Sequence, residues 1–318
     1  MDLSIVLVQY RPDEGELRRT LASLLQQNCH DFELVVADDG SDEDFFPLTR
    51  EILAKNGFTG AKFAKLFPNG GTVKNVLNGV RYATGRWVFT ISPGDYLYDA
   101  NTVTWLLEVL RRDAPPVMFG HLAFYAEEKS TPVQRAGDTP FDASPYMPGK
   151  YNAKTAKRNL LLYDDGISGA GLVYERNILM DALEKMDGRV LLAEDFAARL
   201  FAVEKIPIAG YNRCIVWYEV GTGVSTNEGA RTRMLRDWRA MLELLRELYP
   251  RDRMVRMSYE YYFNDRHRSR LVRGLIGRML VPQNAPFKKA QREWKPPVNG
   301  NPSELQKIYK IGSCQQDK

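Results

Sequence analysis

The chain has 318 residues, of which 44% are hydrophobic and 26% are charged, and its formal net charge is +4. This composition is that of an ordinary folded soluble protein with one sizeable core, and no apolar run approaches the roughly 18 residues that span a bilayer. A strand-like run begins at Leu3 with no basic region before it, so we expect no signal peptide. The widely spaced Cys29, Cys214 and Cys314 argue against a disulfide framework and favour a reducing cytosol.

The first hundred residues alternate between strand-like and helix-like patterns, which indicates a sheet with covering helices. The strands are predicted at Leu3–Val8, Leu34–Ala37, Lys62–Phe67 and Trp87–Ile91. The first helix begins after Asp13, which is predicted to form a capping box with Glu16. A second helix carries an apolar stripe that starts at Val73, and a third is predicted over 102–112.

The pattern is less regular in the second half of the chain. The segment 129–150 is rich in Pro, Gly and Asp and is predicted to be a loop. Helices are predicted at Asn177–Met186 and Glu194–Lys205, followed by a strand at Ile206–Trp217. The remainder, from about Glu228, has a helical and markedly basic pattern.

Polar residues follow each of the four predicted strands of the first hundred residues. These loops are Gln9-Tyr10, Asp38-Asp39-Gly40, Asn69-Gly70-Gly71 and Ser92-Pro93-Gly94-Asp95. Ligands of open α/β sheets bind where the carboxyl ends of strands converge. Each loop alone is ordinary turn chemistry, but an aromatic ring and carboxylates at all four strand ends suit a nucleotide. The order and spacing of the loops therefore favour a nucleotide site over unrelated turns.

Three segments together resemble the opening of family 2 glycosyltransferases. They are SIVLVQY at 4–10, LRRTLASLLQQ at 17–27 and FELVVADDGSD at 32–42. Asn69-Gly70-Gly71 and ATGRWV at 83–88 resemble the next two blocks of that family. The resemblance implies the GT-A fold, with a mixed, mostly parallel sheet and helices on both faces. It implies a glycosyltransferase domain at 1–227, with a nucleotide-sugar-binding half at 1–100 and an acceptor-binding half at 101–227. The helical, basic pattern that follows predicts a C-terminal extension at 228–318.

The resemblance also assigns roles to residues that bind the donor. It implies that Tyr10 and Asp39 hold the nucleotide base and that Asp38 orders their loop, beside Asn69 and Gly70 of the following turn. Where many members have Ala-Arg-Asn, this chain has Val76-Leu77-Asn78, and Lys74 is the nearby candidate for the missing basic contact. The family's Asp-x-Asp stretch is reduced here to Asp95. That residue is the implied ligand of a divalent metal, Mn²⁺ or Mg²⁺, on the diphosphate.

The implied reaction is inverting transfer of a sugar, most readily from a UDP-sugar, to a glycan or lipid-linked acceptor. Asp195 of a Glu194-Asp195 pair is the implied general base, although acidic residues also favour any helix N-terminus. Gly166 to Gly171 resembles an acceptor-side turn, and Tyr218 with 223–226 resembles a closing loop. A nucleotidyltransferase would carry a glycine-rich basic loop after the first strand, which is absent here. A catalytically weak nucleotide-sugar-binding or scaffold protein is the remaining alternative, because the metal-binding motif keeps only one aspartate.

The last region with a specific prediction is 265–295, where arginines alternate with apolar residues. Such a helix either packs on the core with a solvated basic face or lies on an anionic membrane, with Trp294 near the headgroups. We expect a cytoplasmic protein that associates peripherally with the inner face of the cell membrane. Nucleic acid is not an expected partner, because the rest of the chain has nearly balanced charge and no binding motif.

Overall fold

The computed structural model describes residues 1–221, 229–263, 274–275, 277–279 and 281–314. Its strands form one sheet in the order β3-β2-β1-β4-β8-β6-β9-β5, with β7 paired to β6. The strands are β1 Leu3–Gln9, β2 Phe32–Asp38, β3 Lys62–Lys65, β4 Trp87–Ile91, β5 Tyr96–Leu97, β6 Val117–Glu128, β7 Thr131–Gln134, β8 Leu172–Glu175 and β9 Ile208–Glu219. The neighbours from β3 to β4 are parallel, whereas β8 is antiparallel to both β4 and β6.

Helices cover both faces of this sheet. They are α1 Glu14–Leu25, α2 Phe46–Lys55, α3 Thr72–Tyr82, α4 Thr102–Asp113, α5 Ala153–Arg158, α6 Arg176–Met186, α7 Ala197–Glu204, α8 Ala230–Leu248, α9 Arg253–Phe263, α10 Asn284–Glu293 and α11 Pro302–Cys314. A π-helical segment, Asn159–Tyr163, continues α5, and a single turn, Glu194–Phe196, precedes α7.

The alternation of side chains along β1 explains why the sheet is covered twice. Leu3, Ile5 and Leu7 belong to a core cluster shared with α1, α2 and α4, whereas Val6 and Val8 belong to a second cluster shared with α3, α6, α7 and α8. All seven residues of β1 are buried, as expected for a strand between two helical layers. Because α8 shares this second cluster, the start of the C-terminal extension packs into the main core.

Several predictions can be compared directly with these elements. The strands and helices predicted before residue 113 are present, with bounds that shift by one or two residues. The predicted loop at 129–150 is partly wrong, because Thr131–Gln134 pairs with β6 as β7. Asp13 caps α1 through a bond from Glu16 N to its Oδ1 at 3.0 Å.

Other predictions fall wholly or partly outside the described residues. The boundary at 227–228 lies in a segment that the structure does not describe, so the division into domains stays a prediction. Most of the basic segment 265–280 is likewise outside the described ranges. Within the part of the chain that the structure does describe, no helix is both long and apolar enough to cross a membrane.

Candidate active site

Asp38 is the last residue of β2, and Asp39 follows it. Both side chains accept hydrogen bonds from backbone N–H and side-chain amide groups of neighbouring loops. Asp38 Oδ1 accepts from Ser41 N at 2.8 Å, and its Oδ2 accepts from Gln9 Nε2 at 3.1 Å. The carboxylate of Asp39 accepts from Asn69 Nδ2 and from the backbone N–H groups of Gly70 and Gly71 at 2.8–2.9 Å. Burial raises the pKa of Asp39, and the two backbone donors oppose that shift. The carboxylates therefore join the ends of β1, β2 and β3 into one rigid edge.

A cavity of about 400 Å³, the central cavity, opens at this edge of the sheet. Its lining includes Tyr10, Asp39, Asp95 and Asp195. Tyr10 is 45% exposed, and the guanidinium of Arg11 lies over its ring at 5.1 Å from the centroid. The structure thus brings together four of the predicted site residues. Asp38, Asn69, Gly70 and Lys74 lie outside the lining, and their predicted direct roles stay predictions.

Two further carboxylates converge on the floor of the central cavity beside Asp95. A Cβ atom built on Gly94 would lie 2.8 Å from Glu219 Oε2 and 3.5 Å from Glu16 Oε2. Glu219 N also approaches Asp95 Oδ1 at 3.4 Å. Burial, followed by the charge of Glu16, raises the pKa of Glu219 to about 7. The pKa of Asp95 is raised for the same reasons, burial first and then the charges of Glu219 and Glu16.

Glu16 and Glu219 line the central cavity, although their local sequence does not predict it. Glu16 was interpreted as the second half of a capping box, yet its carboxyl group faces Glu219. The signal that could have found them is weak: one acidic residue in the first turn of α1, and one at the end of β9. Glu219 meets Asp95 because β5 pairs antiparallel with β9, which brings residues 95 and 219 together. Glu16 is brought there by α1, whose Thr20 Oγ1 donates to Asp95 O at 2.9 Å.

The carboxylates near Asp95 are suitable ligands for the divalent cation that the family resemblance implies. Asp95 is nine-tenths buried, and Glu219 Oε2 is buried without a hydrogen-bond donor. No three His, Cys, Asp or Glu side chains of the described residues form a complete metal site by themselves. Mg²⁺ is commonly held by one or two carboxylates together with substrate phosphate and water. Asp95 and Glu219 therefore fit a cation that takes most of its ligands from a bound phosphate.

The loop that carries Asp195 is fixed from two sides. Asp237 of α8 is fully buried, and its Oδ2 accepts from the backbone N–H groups of residues 191–193 at 2.6–3.2 Å. On the other side, Leu191 O accepts from Val73 N at 3.1 Å. A Cβ atom on Gly71 would lie 2.6 Å from Leu191 O, so this close approach requires glycine. Asp237 was also missed, because nothing local in a basic amphipathic helix marks it.

Burial and nearby charges shift the acid–base behaviour of Asp195. Burial raises its pKa to about 6, and the guanidinium of Arg199 opposes that shift. Arg199 is itself buried, lies over the rings of Phe196 and Trp238 at 3.9 and 4.3 Å, and donates to Asp164 at 3.0 Å. Burial and the neighbouring charge of Asp195 also raise the pKa of Glu194.

Two other segments border the same cavity. Ser168, Gly169 and Ala170 of the predicted acceptor-side turn belong to its lining. A Cβ atom on Gly169 would displace the carboxyl group of Glu194, so this turn packs directly against that side chain. Tyr218 also lines the cavity, whereas the predicted closing loop at 223–226 lies outside the described residues.

Comparisons with known proteins agree with this geometry. Residues 4–179, more than half of the chain, match the model of glycosyl transferase family 2. By sequence, no curated protein matches the chain. The structure of S. aureus TarS residues 1–349 in complex with UDP-GlcNAc is 16% identical, with a TM-score of 0.54 over 90% of this chain and 73% of that one. The mannosyltransferase PcManGT from Pyrobaculum calidifontis, in complex with GDP-Man and Mn²⁺, is 11% identical, with a TM-score of 0.53 over 99% of this chain and 80% of that one.

At these identities the solved structures show a common fold, and the family match supplies the relationship by sequence. The predicted family and fold are therefore confirmed. The chain belongs to glycosyl transferase family 2, has the GT-A fold and is a glycosyltransferase.

Proposed function

We propose that this glycosyltransferase inverts the anomeric centre, taking a sugar from a nucleoside diphosphate, UDP by preference, and adding it to a glycan or lipid-linked acceptor. The observation that carries the proposal is the position of Asp195. It shares the central cavity with Tyr10, Asp39 and Asp95, and its loop is held by Asp237 and by the backbone of α3. A carboxylate fixed beside a nucleotide site is placed to act on an acceptor.

The donor is bound at the sheet edge in this proposal. The Tyr10 ring packs against the base, and Asp39 supplies an acceptor at the cavity wall. Its carboxylate already receives three donors from the turn at 69–71, but two carboxylate oxygens offer about four lone-pair sites. Asp38, Asn69 and Gly70 support this contact from behind the wall. Lys74, whose charge lowers the pKa of Asp39, contributes electrostatically.

Asp195 accepts the proton of the acceptor hydroxyl. As the hydroxyl oxygen bonds to the anomeric carbon, the bond from that carbon to the diphosphate oxygen breaks, and attack opposite the leaving group inverts the configuration. A raised pKa suits this role, because a base works best when its pKa approaches the working pH. Asp95, with Glu219 beside it, would hold Mn²⁺ or Mg²⁺. The cation would neutralise charge on the departing diphosphate.

The setting of the reaction is also part of the proposal. Residues 1–100 form the donor half, 101–227 the acceptor half and 228–318 the extension. The protein acts in the cytoplasm, where it meets acceptors of surface polysaccharide synthesis at the inner face of the membrane. The basic segment 265–280 provides the attraction to anionic lipid.

The proposed roles can be tested with two substitutions at adjacent positions. Thermal stabilisation by a panel of UDP-sugars, with and without Mn²⁺, identifies the donor, since a ligand at 100 times its Kd adds about 2.7 kcal/mol. Asp195→Asn should then bind that donor normally but transfer roughly 10² to 10⁴ times more slowly. Glu194→Gln is the matched control and should lose less. The reverse pattern, with Asp195→Asn nearly silent, would assign the base to Glu194.

A further inference from the structure

A second cavity, the side cavity, adjoins the central cavity at Asp195. Its volume is about 490 Å³, and it opens between the loops at 138–141 and 164–168 and the segment that follows α10. Asp195 and Ser168 line both cavities. Asp195 therefore lies between the two cavities, and the side cavity has the volume of an ordinary small-molecule site.

The outer wall of the side cavity is aromatic. Trp294 and Phe141 line it, and their rings meet edge to face with centroids 5.1 Å apart. Phe287 of α10 contacts Phe141 in the same way at 5.3 Å and stacks on Tyr163 at 4.3 Å. This packing fixes the indole of Trp294, which is only partly buried. A partly exposed indole held in this way is a surface on which an apolar ring face can pack.

The inner wall is acidic. Asp164 is 45% exposed while its Oδ1 binds Arg199, and Asp138 Oδ1 contacts His121 and Thr139 N. Asp165 accepts from Phe141 N and Asp142 N; burial raises its pKa to about 6, and the nearby charge of Lys288 opposes that shift. Ionised carboxylates only accept hydrogen bonds, so they select a ligand that donates them. Their charge also disfavours an anionic ligand.

We propose that the side cavity binds the acceptor and that this acceptor is a neutral carbohydrate. One sugar ring packs its C–H face on Trp294 and donates hydroxyl hydrogen bonds to Asp164 and Asp138, which directs another hydroxyl towards Asp195. The inference deepens the proposed function and rests on it, because it takes Asp195 to be the base. It assigns to Trp294, in the C-terminal extension, a role in acceptor binding rather than in membrane insertion.

Binding of simple sugars by the full chain tests this assignment directly. The probes are the methyl glycosides of glucose, galactose, mannose, N-acetylglucosamine and glucuronic acid, measured by saturation-transfer difference NMR with UDP present. At least one neutral glycoside should bind, and the glucuronide should bind more weakly than methyl glucoside. Trp294→Ala should weaken neutral binding by at least about tenfold, whereas Trp294→Phe should retain most of it.

Tyr82→Ala is the matched control, because Tyr82 is another half-exposed aromatic residue, on α3, outside the lining of the side cavity. It should leave sugar binding unchanged, and UDP affinity should match the parent in all three variants. The proposal is overturned if no neutral glycoside binds, if the glucuronide binds as well as methyl glucoside, or if Trp294→Ala binds sugars like the parent. Transfer that survives in Asp195→Asn would overturn the base assignment but leave this binding test intact.

Discussion

Asp195 is a residue whose surroundings predict a pH dependence. Burial raises its pKa to about 6, and a general base must be deprotonated to act. The turnover rate at saturating donor and acceptor should therefore fall as the pH drops through about 6, whereas UDP affinity should not follow the same curve. A rate that stays level down to pH 4.5 would contradict the role of Asp195.

Two charged neighbours, Asp164 and Arg199, shift the pKa of Asp195 in opposite directions. The charge of Asp164 raises the pKa of Asp195, and that of Arg199 lowers it. Asp164→Asn removes the first charge and leaves Arg199 without its partner, so both effects lower the pKa. The acidic limb of the pH–rate profile should move to lower pH in this variant. A move to higher pH would mean that a different group controls the limb.

At the scale of elements, α8 holds the loop of Asp195, the proposed base, through one carboxylate. Asp237→Ala leaves the backbone N–H groups of residues 191–193 without their acceptor, and buried unsatisfied donors cost about 1–3 kcal/mol. We expect a loss of unfolding free energy of that order in denaturant titrations. Transfer should slow more than donor affinity falls, because the displaced group is the base.

Glu243→Ala is the control for that prediction, since Glu243 is exposed on the same helix. It should change stability by less than about 0.5 kcal/mol and leave transfer unchanged. If Asp237→Ala is destabilised but transfers at the parent's rate, α8 supports the fold without positioning the base.

At the scale of the whole molecule, the positive charge of 265–280 bears on where the enzyme works. We expect the protein to sediment with phosphatidylglycerol vesicles and not with neutral phosphatidylcholine vesicles. Replacing Arg266, Arg268, Arg270 and Arg273 with Gln should abolish this binding, because each basic residue near an anionic surface contributes about 1 kcal/mol. Substituting the exposed Lys55, Lys65, Lys150 and Lys154 removes the same net charge and should have little effect. Equal loss in both variants would indicate a nonspecific charge effect.

Membrane association and acceptor binding place different demands on the C-terminal extension. Of the apolar residues predicted to insert, Leu275 and Met279 are 60% and 75% exposed, but Trp294 packs on Phe141 and lines the side cavity. The described residues of the predicted 265–295 helix therefore differ in their surroundings: Leu275 and Met279 are exposed, whereas Trp294 packs in the aromatic cluster. We assign lipid attraction to the first half and acceptor contact to the second.

The sequence by itself predicted four of the strands and three of the helices in the first 113 residues, although not α2 or β5, and four residues of the central cavity. A parallel strand that is buried on both faces has a continuous apolar sequence, and the polar residues that follow such strands meet at one edge of the sheet. Tyr10, Asp39 and Asp95 were predicted for this reason. Asp195 was reached through the family resemblance, because no local pattern separates a base from an acidic helix start.

The tertiary structure alone decided which distant side chains complete the site. Glu219 lies beside Asp95 through the pairing of β5 with β9, and Asp237 reaches the loop of Asp195 because α8 packs into the main core. Glu16 joins them from α1, and Trp294 lines the side cavity together with Asp195. Each is a single residue in a segment whose local pattern is that of any amphipathic helix, strand end or linker. Hydrophobic periodicity specifies which face of an element is buried, but the partner that buries it is chosen by packing over the whole chain.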